Sequence, residues 1–315
     1  MEKIDLLMLP TPLQKMNINL NNNVYIKRDD LTDCVLGGNK ARKIEYFAKD
    51  ILDKECDCIV TYGSAQSNHC RIVASVARRL GLRCVLILED SMYSEEVAGN
   101  RVFYKLTEAD IVTTTYDEVP QTIEKTMKKL EEQGQKPYFI TGGGHSYLGT
   151  RAYVKAYEEL LEQADERGIE FDYIFVAAGT GTTHAGLVVG NKAANRKTKV
   201  IGISVARRRE RGLQVLKECL EEYREVYNDK IDYSQEELVF EDNYIGEKYG
   251  DVYKGIVETI KQVIQTDSII LDPVYTGKAF YGMKEYIKKH GIEAKNILFI
   301  HTGGLPCLFE NANQL

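Results

Sequence analysis

The sequence lacks the features of a membrane-spanning, secreted or nucleic-acid-binding protein. No stretch approaches the roughly 18 consecutive apolar residues of a transmembrane helix. Charged residues and prolines interrupt the first twelve positions, where a signal peptide would be uninterrupted. The net charge of -6 gives no attraction to nucleic acid or to an anionic membrane. We therefore expect a cytoplasmic location, with neither nucleic acid nor a membrane among the partners.

Cysteine and histidine are too scattered to form a structural framework. The seven cysteines are odd in number and spread over a long chain, which favours reduced thiols over dense disulfides. Cys56 and Cys58 are separated by only one residue, and the histidines form no H-x3–5-H pair, so we predict no metal site. His69 and Cys70 are adjacent, and on a helix they would point about 100° apart, which does not favour a thiol paired with its base.

The order of apolar and polar segments predicts an α/β protein. At 315 residues the chain is about twice the usual domain of roughly 150, which predicts one large or two interleaved domains. A buried strand over residues 58–62, a helix over 69–80 and a strand over 84–88 form a βαβ unit. A second unit begins with the uniformly apolar residues 173–178, typical of a parallel strand covered by helices on both faces. Repeated units of this kind imply right-handed crossovers.

The loop after residues 173–178 has the composition of an anion site. Gly179-Thr180-Gly181-Thr182-Thr183 opens a helix, where backbone N–H groups and hydroxyls can hold a phosphate. No lysine follows as in a Walker A loop, and His184 stands where the dinucleotide motif has its third glycine. A tight strand-to-helix turn without a ligand is the alternative.

A glycine pair delivers one lysine to the start of a helix predicted over residues 42–51. Cations at a helix N-terminus are disfavoured by roughly 0.3–1 kcal/mol each, so local stability does not explain Lys40, Arg42 and Lys43. Neighbouring positive charge should lower the pKa of Lys40, and a neutral amine is required for imine formation or general-base catalysis. A solvated basic turn capped by Asn39 is the alternative. A poised lysine together with a phosphate site implies pyridoxal 5'-phosphate.

Four segments carry a family resemblance and span essentially the whole chain in the family's order. They are Gly37-Gly38-Asn39-Lys40-Ala41-Arg42-Lys43, Gln66-Ser67-Asn68-His69-Cys70-Arg71, Asp272-Pro273-Val274-Tyr275-Thr276-Gly277-Lys278 and His301-Thr302-Gly303-Gly304. Together they resemble the family of D-cysteine desulfhydrases and 1-aminocyclopropane-1-carboxylate deaminases, which use pyridoxal phosphate. The resemblance implies the tryptophan synthase β-like fold (fold type II), with two interleaved open parallel-sheet domains. Residues 1–43 and 149–315 would form the large cofactor-binding domain, residues 44–148 the small domain, and the protein would be a homodimer.

The resemblance also assigns roles to residues. Lys40 would form the imine and act as acid and base at the substrate α-carbon. Ser67, Asn68 and His69 would face the substrate carboxylate, and Asn68 would also reach the cofactor's phenolic oxygen. Their place at a helix N-terminus agrees with anion binding, although a simple N-cap is the alternative. The phosphate would be held by Gly179, Thr180, Gly181, Thr182 and Thr183.

Two tyrosines and two threonines complete the implied site. Tyr275 and Tyr249 match the family's active-site tyrosines, although Tyr249 lacks the preceding glycine and following proline typical of the family. Thr276, or Thr302, would lie at the pyridine nitrogen where the deaminase branch has a glutamate. A hydroxyl makes the ring a weaker electron sink than a carboxylate does, which favours β-elimination over ring opening.

The sequence departs from the family in two places. The segment 142–147 is longer and more polar than usual. The run 207–211 contains four arginines and is either a solvated turn or a reader of an acidic substrate side chain.

The functional hypothesis is a carbon–sulfur lyase acting on a small amino acid. It would convert D-cysteine to pyruvate, ammonia and sulfide, with L-cysteate and 1-aminocyclopropane-1-carboxylate as alternative substrates. A non-catalytic α/β protein that binds a phosphate ligand is the alternative from another class.

Overall fold

The computed structural model describes residues 2–89, 97–230, 232–234 and 237–315. The strands are β1 (Leu13–Lys15), β2 (Asn23–Lys27), β3 (Cys58–Ser64), β4 (Arg83–Glu89), β5 (Asp110–Thr114), β6 (Pro137–Ile140), β7 (Tyr173–Ala178), β8 (Lys199–Ser204), β9 (Val239–Glu241) and β10 (Asn296–Ile300). The helices are α1 (Asn39–Asp53), α2 (Asn68–Arg79), α3 (Asn100–Leu106), α4 (Val119–Glu132), α5 (Tyr147–Asp165), α6 (Thr182–Ala193), α7 (Arg209–Tyr227), α8 (Lys254–Asp267), α9 (Thr276–Lys289) and α10 (Leu305–Glu310).

The strands form two separate sheets. The larger sheet has the order β1-β2-β10-β7-β8-β9 and the smaller the order β5-β4-β3-β6. All pairings are parallel except that of β1 with β2. The larger sheet joins both ends of the chain, because β10 pairs with β2 and β7. The smaller sheet lies wholly within residues 44–148, the range predicted for the small domain.

Alternating residues of the central strands supply two separate apolar layers. In β7, Phe175 and Ala177 join the core on one face, whereas Ile174 and Val176 join the core on the other. Because side chains alternate across a strand, an unbroken apolar run indicates that both faces are covered. The predicted α/β architecture with buried parallel strands is confirmed. No helix in the described ranges is long and apolar enough to cross a membrane.

The longest element that the sequence does not predict is α5. Its buried residues include runs of neighbours, such as Leu148, Gly149 and Thr150, because it packs against α1, α6 and α7. A helix covered on several sides has no single apolar stripe for periodicity to reveal. Strands β1 and β9 have only three residues each, too short for an alternating pattern.

Tertiary contacts account for Arg42, one of the three cations near the start of α1 that local helix stability does not explain. Arg42 is buried and donates to Asp29 at 2.8 Å and to Glu159 at 2.9 Å. Lys27 of β2 also donates to Glu159, at 2.6 Å. This buried ion-pair network joins α1 to β2 and α5, so it holds the helix that carries Lys40 against the larger sheet.

Acidification should weaken this network. Burial would raise the pKa of Glu159, but the hydrogen bonds and charges of Arg42 and Lys27 outweigh it and lower the pKa to about 2. The carboxylate therefore stabilises the fold above its unfolded pKa near 4.5, and we expect this stability to be lost between about pH 4.5 and pH 2. Urea denaturation of the wild type and Glu159→Gln across this range would measure it. The stability gap between them should narrow as pH falls, and parallel curves would contradict the assignment.

Candidate functional site

One cavity of about 930 Å³ lies at the carboxyl ends of the parallel strands of both sheets. Ligands bind at this edge in open α/β sheets. Its wall contains most of the site residues predicted from the sequence, namely Lys40, Ser67, Asn68, His69, Gly179, Thr180, Gly181, Thr183, Tyr249, Tyr275 and Thr302. Two predicted site residues, Thr182 and Thr276, do not line it.

The glycine pair sets the position of Lys40. Gly37 and Gly38 have φ angles of 56° and 114°, in the region that favours glycine. A Cβ at Gly38 would lie 2.7 Å from the main-chain oxygen of Thr302. The N–H of Gly38 donates to Asp29 O at 2.9 Å. The pair therefore packs the start of α1 against the end of β10 and directs Lys40 into the cavity.

Lys40 has a weak set of polar partners. Its Nζ donates to Asn39 Oδ1 at 3.2 Å, and no ion pair to it occurs among the described residues. Burial lowers its pKa to about 8. The sequence also predicts a lowered pKa for Lys40, but burial rather than the neighbouring cations is the cause. A substantial neutral fraction at physiological pH makes Lys40 able to act as a nucleophile or base.

Lys43 stabilises the start of α6 through hydrogen bonds. Its Nζ donates to Thr182 Oγ1 at 2.7 Å and to Gly143 O at 3.2 Å. The Thr182 hydroxyl therefore faces the packed contact with α1 and α5, away from the cavity. Thr182 does not line the cavity, so its role in phosphate binding stays a prediction in which its main-chain N–H at the start of α6 would be the donor.

The turn before α6 has main-chain N–H groups and a hydroxyl that could bind an anion. Gly181 is the N-cap with a φ of 92°, and the N–H groups of Thr182, Thr183 and His184 have no acceptor within the helix. Thr183 Oγ1 accepts from Asn39 Nδ2 at 3.0 Å, so its hydrogen is free to donate. Asn39 is thus not the N-cap of α1, which is Gly38. Asn39 connects the start of α6 to Lys40 through hydrogen bonds to both.

Ser67 is a helix cap that also faces the cavity. It is the N-cap of α2, and its Oγ accepts from Cys70 N at 3.2 Å. Capping uses a lone pair and leaves the hydroxyl hydrogen, and Ser67 also lines the cavity. The α2 N-terminus can therefore bind an anionic group through main-chain N–H groups and this hydroxyl.

We expect Ser67→Ala to impair both stability and substrate use. Losing the cap should cost about 1 kcal/mol of unfolding free energy. Losing a hydrogen bond to a charged carboxylate, roughly 1.5–3 kcal/mol, should lower kcat/KM by about ten- to a hundredfold. Cofactor affinity should not change.

The matched control is Ser146→Ala. Ser146 is the N-cap of α5 and accepts from Leu148 N at 3.1 Å, but it does not line the cavity. It should lose similar stability with unchanged kcat/KM. Equal kinetic effects in the two variants would restrict Ser67 to capping.

His69 is fixed in one tautomer. Its Nε2 lies 2.9 Å from Thr61 Oγ1, and Thr61 donates its only hydroxyl hydrogen to Ile140 O at 2.7 Å. The proton is therefore on Nε2. Burial, together with the charges of Lys40 and Lys43, holds the pKa of His69 well below its usual value, so Nδ1 is an acceptor. The imidazole cannot donate to a substrate carboxylate from Nδ1, whereas the main-chain N–H of His69 can.

Two phenols form a donor pair in the wall. The hydroxyl groups of Tyr249 and Tyr275 are hydrogen-bonded to each other. Tyr249 is 44% exposed as a whole, but burial around its hydroxyl raises its pKa to about 12, and burial raises that of Tyr275 well above its usual value. Both are protonated at neutral pH, and the pair retains one hydrogen for a ligand. Lys278 fixes the segment that leads to Tyr249, because its Nζ donates to Ile245 O at 2.7 Å.

Thr276 lies beneath the cavity. It is fully buried, and its Oγ1 donates to Asp272 Oδ1 at 2.7 Å and accepts from Asp272 N at 2.9 Å. The hydroxyl of Thr276 therefore fixes the start of α9, and the choice between Thr276 and Thr302 as the partner of the pyridine nitrogen stays a prediction. Thr302 lines the cavity instead.

The arginine run divides into two parts. Arg207 lines the cavity and donates to Gly179 O, and burial lowers its pKa. Arg209 and Arg211 are exposed, and Arg211 pairs with Glu218 at 3.0 Å. In the other unusual segment, Gly142 and Gly143 line the cavity. The exposed arginines fit the solvated turn, and whether Arg207 contacts a substrate stays a prediction.

Several cavity residues were not predicted from the sequence. Tyr62, Tyr116 and Asp117 lie in the wall with no motif to indicate them. Asn39 also lines the cavity, and its membership of the first motif is the signal that could have indicated it. Its place after the glycine pair favours the interpretation as a helix cap instead.

The chain belongs to the family described as pyridoxal-phosphate dependent enzymes, whose pattern matches residues 4–303. Within it, the chain is 34% identical to the D-cysteine desulfhydrase of Serratia proteamaculans, covering 98% of this chain and 95% of that protein. It is 36% identical to a Pyrococcus abyssi protein provisionally named as a 1-aminocyclopropane-1-carboxylate deaminase, covering 99% and 94%. A crystal structure described as an ACC deaminase homologue has a TM-score of 0.91 at 35% identity, covering 99% and 94%. The predicted family, fold type and cofactor are confirmed.

The site fits this cofactor. Pyridoxal phosphate needs an amine for its aldehyde, N–H donors for its phosphate and a partner at each polar ring atom. The cavity offers the amine of Lys40, the open first turn of α6, the Asn68 amide and the Thr302 hydroxyl. Each polar part of the cofactor therefore has a group of suitable chemistry in the wall.

Proposed function

We propose that this protein is a carbon–sulfur lyase that converts D-cysteine and water to pyruvate, ammonia and sulfide. One observation carries the proposal. A single cavity brings together a lysine of lowered pKa, the open N-termini of α2 and α6, and a protonated tyrosine pair. These groups suffice to attach the cofactor, bind an amino-acid carboxylate and donate a proton to a leaving group.

Each residue set would hold a different part of the cofactor. Lys40 would bond to the aldehyde, and the α6 turn, with Gly179, Thr180, Gly181 and Thr183, would hold the phosphate. Asn68 would donate to the phenolic oxygen. Of the two threonines predicted for the pyridine nitrogen, Thr302 would be its partner, because Thr302 lines the cavity and Thr276 does not. When bound, the cofactor supplies a ring that stabilises negative charge at the substrate α-carbon.

The chain's own groups would bind the substrate and move its protons. The hydroxyl of Ser67 and the N–H groups at the start of α2 would bind the carboxylate. Lys40, with its pKa near 8, would accept the α-carbon proton. The free hydrogen of the Tyr249–Tyr275 pair would be donated to the departing sulfur.

We expect elimination to be faster than cyclopropane ring opening. Thr302, which lines the cavity, would meet the pyridine nitrogen with a hydroxyl rather than with a carboxylate. A hydroxyl cannot hold that nitrogen in its charged form, and ring opening has no α-proton to remove. Pyruvate from D-cysteine should form with a kcat/KM at least about tenfold above that for 2-oxobutanoate from 1-aminocyclopropane-1-carboxylate, roughly 1.4 kcal/mol.

A substrate panel tests this proposal. D-cysteine, L-cysteate, β-chloroalanine and 1-aminocyclopropane-1-carboxylate would be compared by ammonia and keto-acid release. Faster sulfite release from L-cysteate would favour the alternative in which Arg207 binds an anionic side chain. Ring opening equal to elimination would show that Thr302 does not decide the reaction.

We also propose a homodimer, from the family resemblance. The loop before α1 exposes the apolar side chains of Leu31, Val35 and Leu36, which a second copy could cover. Sedimentation should give twice the 35.8 kDa mass of one chain. A monomer at micromolar concentration would contradict it.

A further inference from the structure

Asn100 is a buried side chain whose amide orientation is fixed by its neighbours. It is fully buried, and its Oδ1 accepts from Arg71 Nε at 2.8 Å. Its Nδ2 donates to the main-chain oxygen of Gln66 at 2.8 Å. Arginine can only donate and a carbonyl can only accept, so the amide of Asn100 has one allowed orientation.

This orientation determines that of Asn68. The second hydrogen of Asn100 Nδ2 is donated to Asn68 Oδ1 at 3.0 Å. The oxygen of Asn68 is therefore held away from the cavity, and its Nδ2 is the free end. Within the described ranges, that Nδ2 has one weak partner, Cys307 Sγ at 3.6 Å. At least one of its hydrogens is left for a ligand in the cavity that Asn68 lines.

Arg71 is the first donor in this series of hydrogen bonds. It is 1% exposed, and no carboxylate forms an ion pair with it in the described part of the chain. Its Nη2 donates to Gly37 O at 3.2 Å, whereas its Nη1 has no hydrogen-bond partner among the residues that the structure describes. An unpaired buried cation is unfavourable for folding alone. Arg71 contacts both the glycine pair that positions Lys40 and the asparagine that orients Asn68.

We propose that Asn100, oriented by Arg71, is a positioning residue that presents the N–H of Asn68 to the cavity. The inference rests on the proposed function, because the receiving atom would be the phenolic oxygen of the cofactor. Among the described residues, Arg71 of α2 and Cys307 of α10 contact these amides, Tyr104 of α3 donates to the neighbouring Ser67 O, and Lys40 of α1 lines the same cavity as Asn68. The arrangement links α1, α2, α3 and α10 around one donor.

The test is Asn100→Asp, which keeps the shape and the contact with Arg71 but removes both donors. Asn68 must then turn its N–H toward the introduced carboxylate and its oxygen toward the cavity. A phenolate that loses a donor binds its proton more tightly. The pKa of the bound cofactor's visible band should therefore rise by about one unit. Thermal unfolding of the cofactor-free protein would be measured beside it.

The control is the double variant Asn68→Ala with Asn100→Asp. If Asn100 acts through Asn68, the band of the double variant should titrate as in Asn68→Ala alone. A pKa change that persists without Asn68 would reflect the negative charge added at position 100 and would overturn the inference. Should Asn100→Asp not fold, Asn100→Ala should give a smaller rise, because Asn68 is then free to rotate.

The outcomes separate the two proposals. A wild-type protein that forms no visible band with added pyridoxal phosphate contradicts the proposed function. A wild-type band that titrates normally, with both Asn100 variants unchanged, contradicts only the role of Asn100.

Discussion

Replacing Lys40 by alanine is expected to abolish turnover and the visible absorption of the bound cofactor while leaving the fold intact. Lys40 lies in the cavity wall, and in the described part of the chain its Nζ makes one hydrogen bond, to Asn39 at 3.2 Å. Burial lowers its pKa to about 8, so the charged form gains little from the surrounding protein. Its removal should therefore not destabilise the protein. The covalent link and the base at the α-carbon would both be lost, and rates should fall by at least about 10³-fold.

The matched control is Lys49→Ala. Lys49 lies on the same helix, α1, and its ion pair is the surface contact with Asp53. Solvent screens such pairs, so they contribute little to stability. This variant should keep its turnover, its visible band and its stability. Turnover retained by a folded Lys40→Ala protein would contradict the role of Lys40.

Arg42→Ala is expected to cause the largest loss of stability. The substitution leaves Asp29 and Glu159 without their shared guanidinium partner, and Asp29 is 1% exposed. Breaking a buried ion pair by removing one partner costs roughly 3–5 kcal/mol, because the remaining charge is uncompensated. Chemical denaturation at neutral pH would measure this loss.

The control for Arg42 is Arg83→Ala. Arg83 pairs with Asp110 at 2.7 Å, but the two side chains are 42% and 52% exposed. Solvent screening limits such a pair to roughly 1 kcal/mol or less. Equal losses in the two variants would show that the buried network contributes no more than a surface pair.

The architecture is predictable from the sequence because strong local patterns encode it. The uniformly apolar β7 and the glycine loop after it have few other interpretations. The position of Lys40 is also predictable, since Gly37 and Gly38 adopt positive φ angles that few other residues tolerate. These features depend on residues close together in the chain.

Features that depend on distant contacts are not predictable in this way. The partner of Arg42 on α5 is 117 residues away, so the buried role of this arginine is not visible at the helix N-terminus. Thr182 and Thr276 belong to segments predicted to bind the cofactor, yet their hydroxyls contact Lys43 and Asp272 outside the cavity wall. The direction in which each hydroxyl points depends on the folded structure.

The most direct test of the central claim is to identify the lysine that bonds to the cofactor. The purified protein would be loaded with pyridoxal phosphate, reduced with borohydride to fix the bond, digested and mapped by mass spectrometry. We predict one modified site, Lys40, in stoichiometric yield. Modification of another lysine, such as the buried Lys43 or Lys278, with Lys40 unmodified would contradict the account.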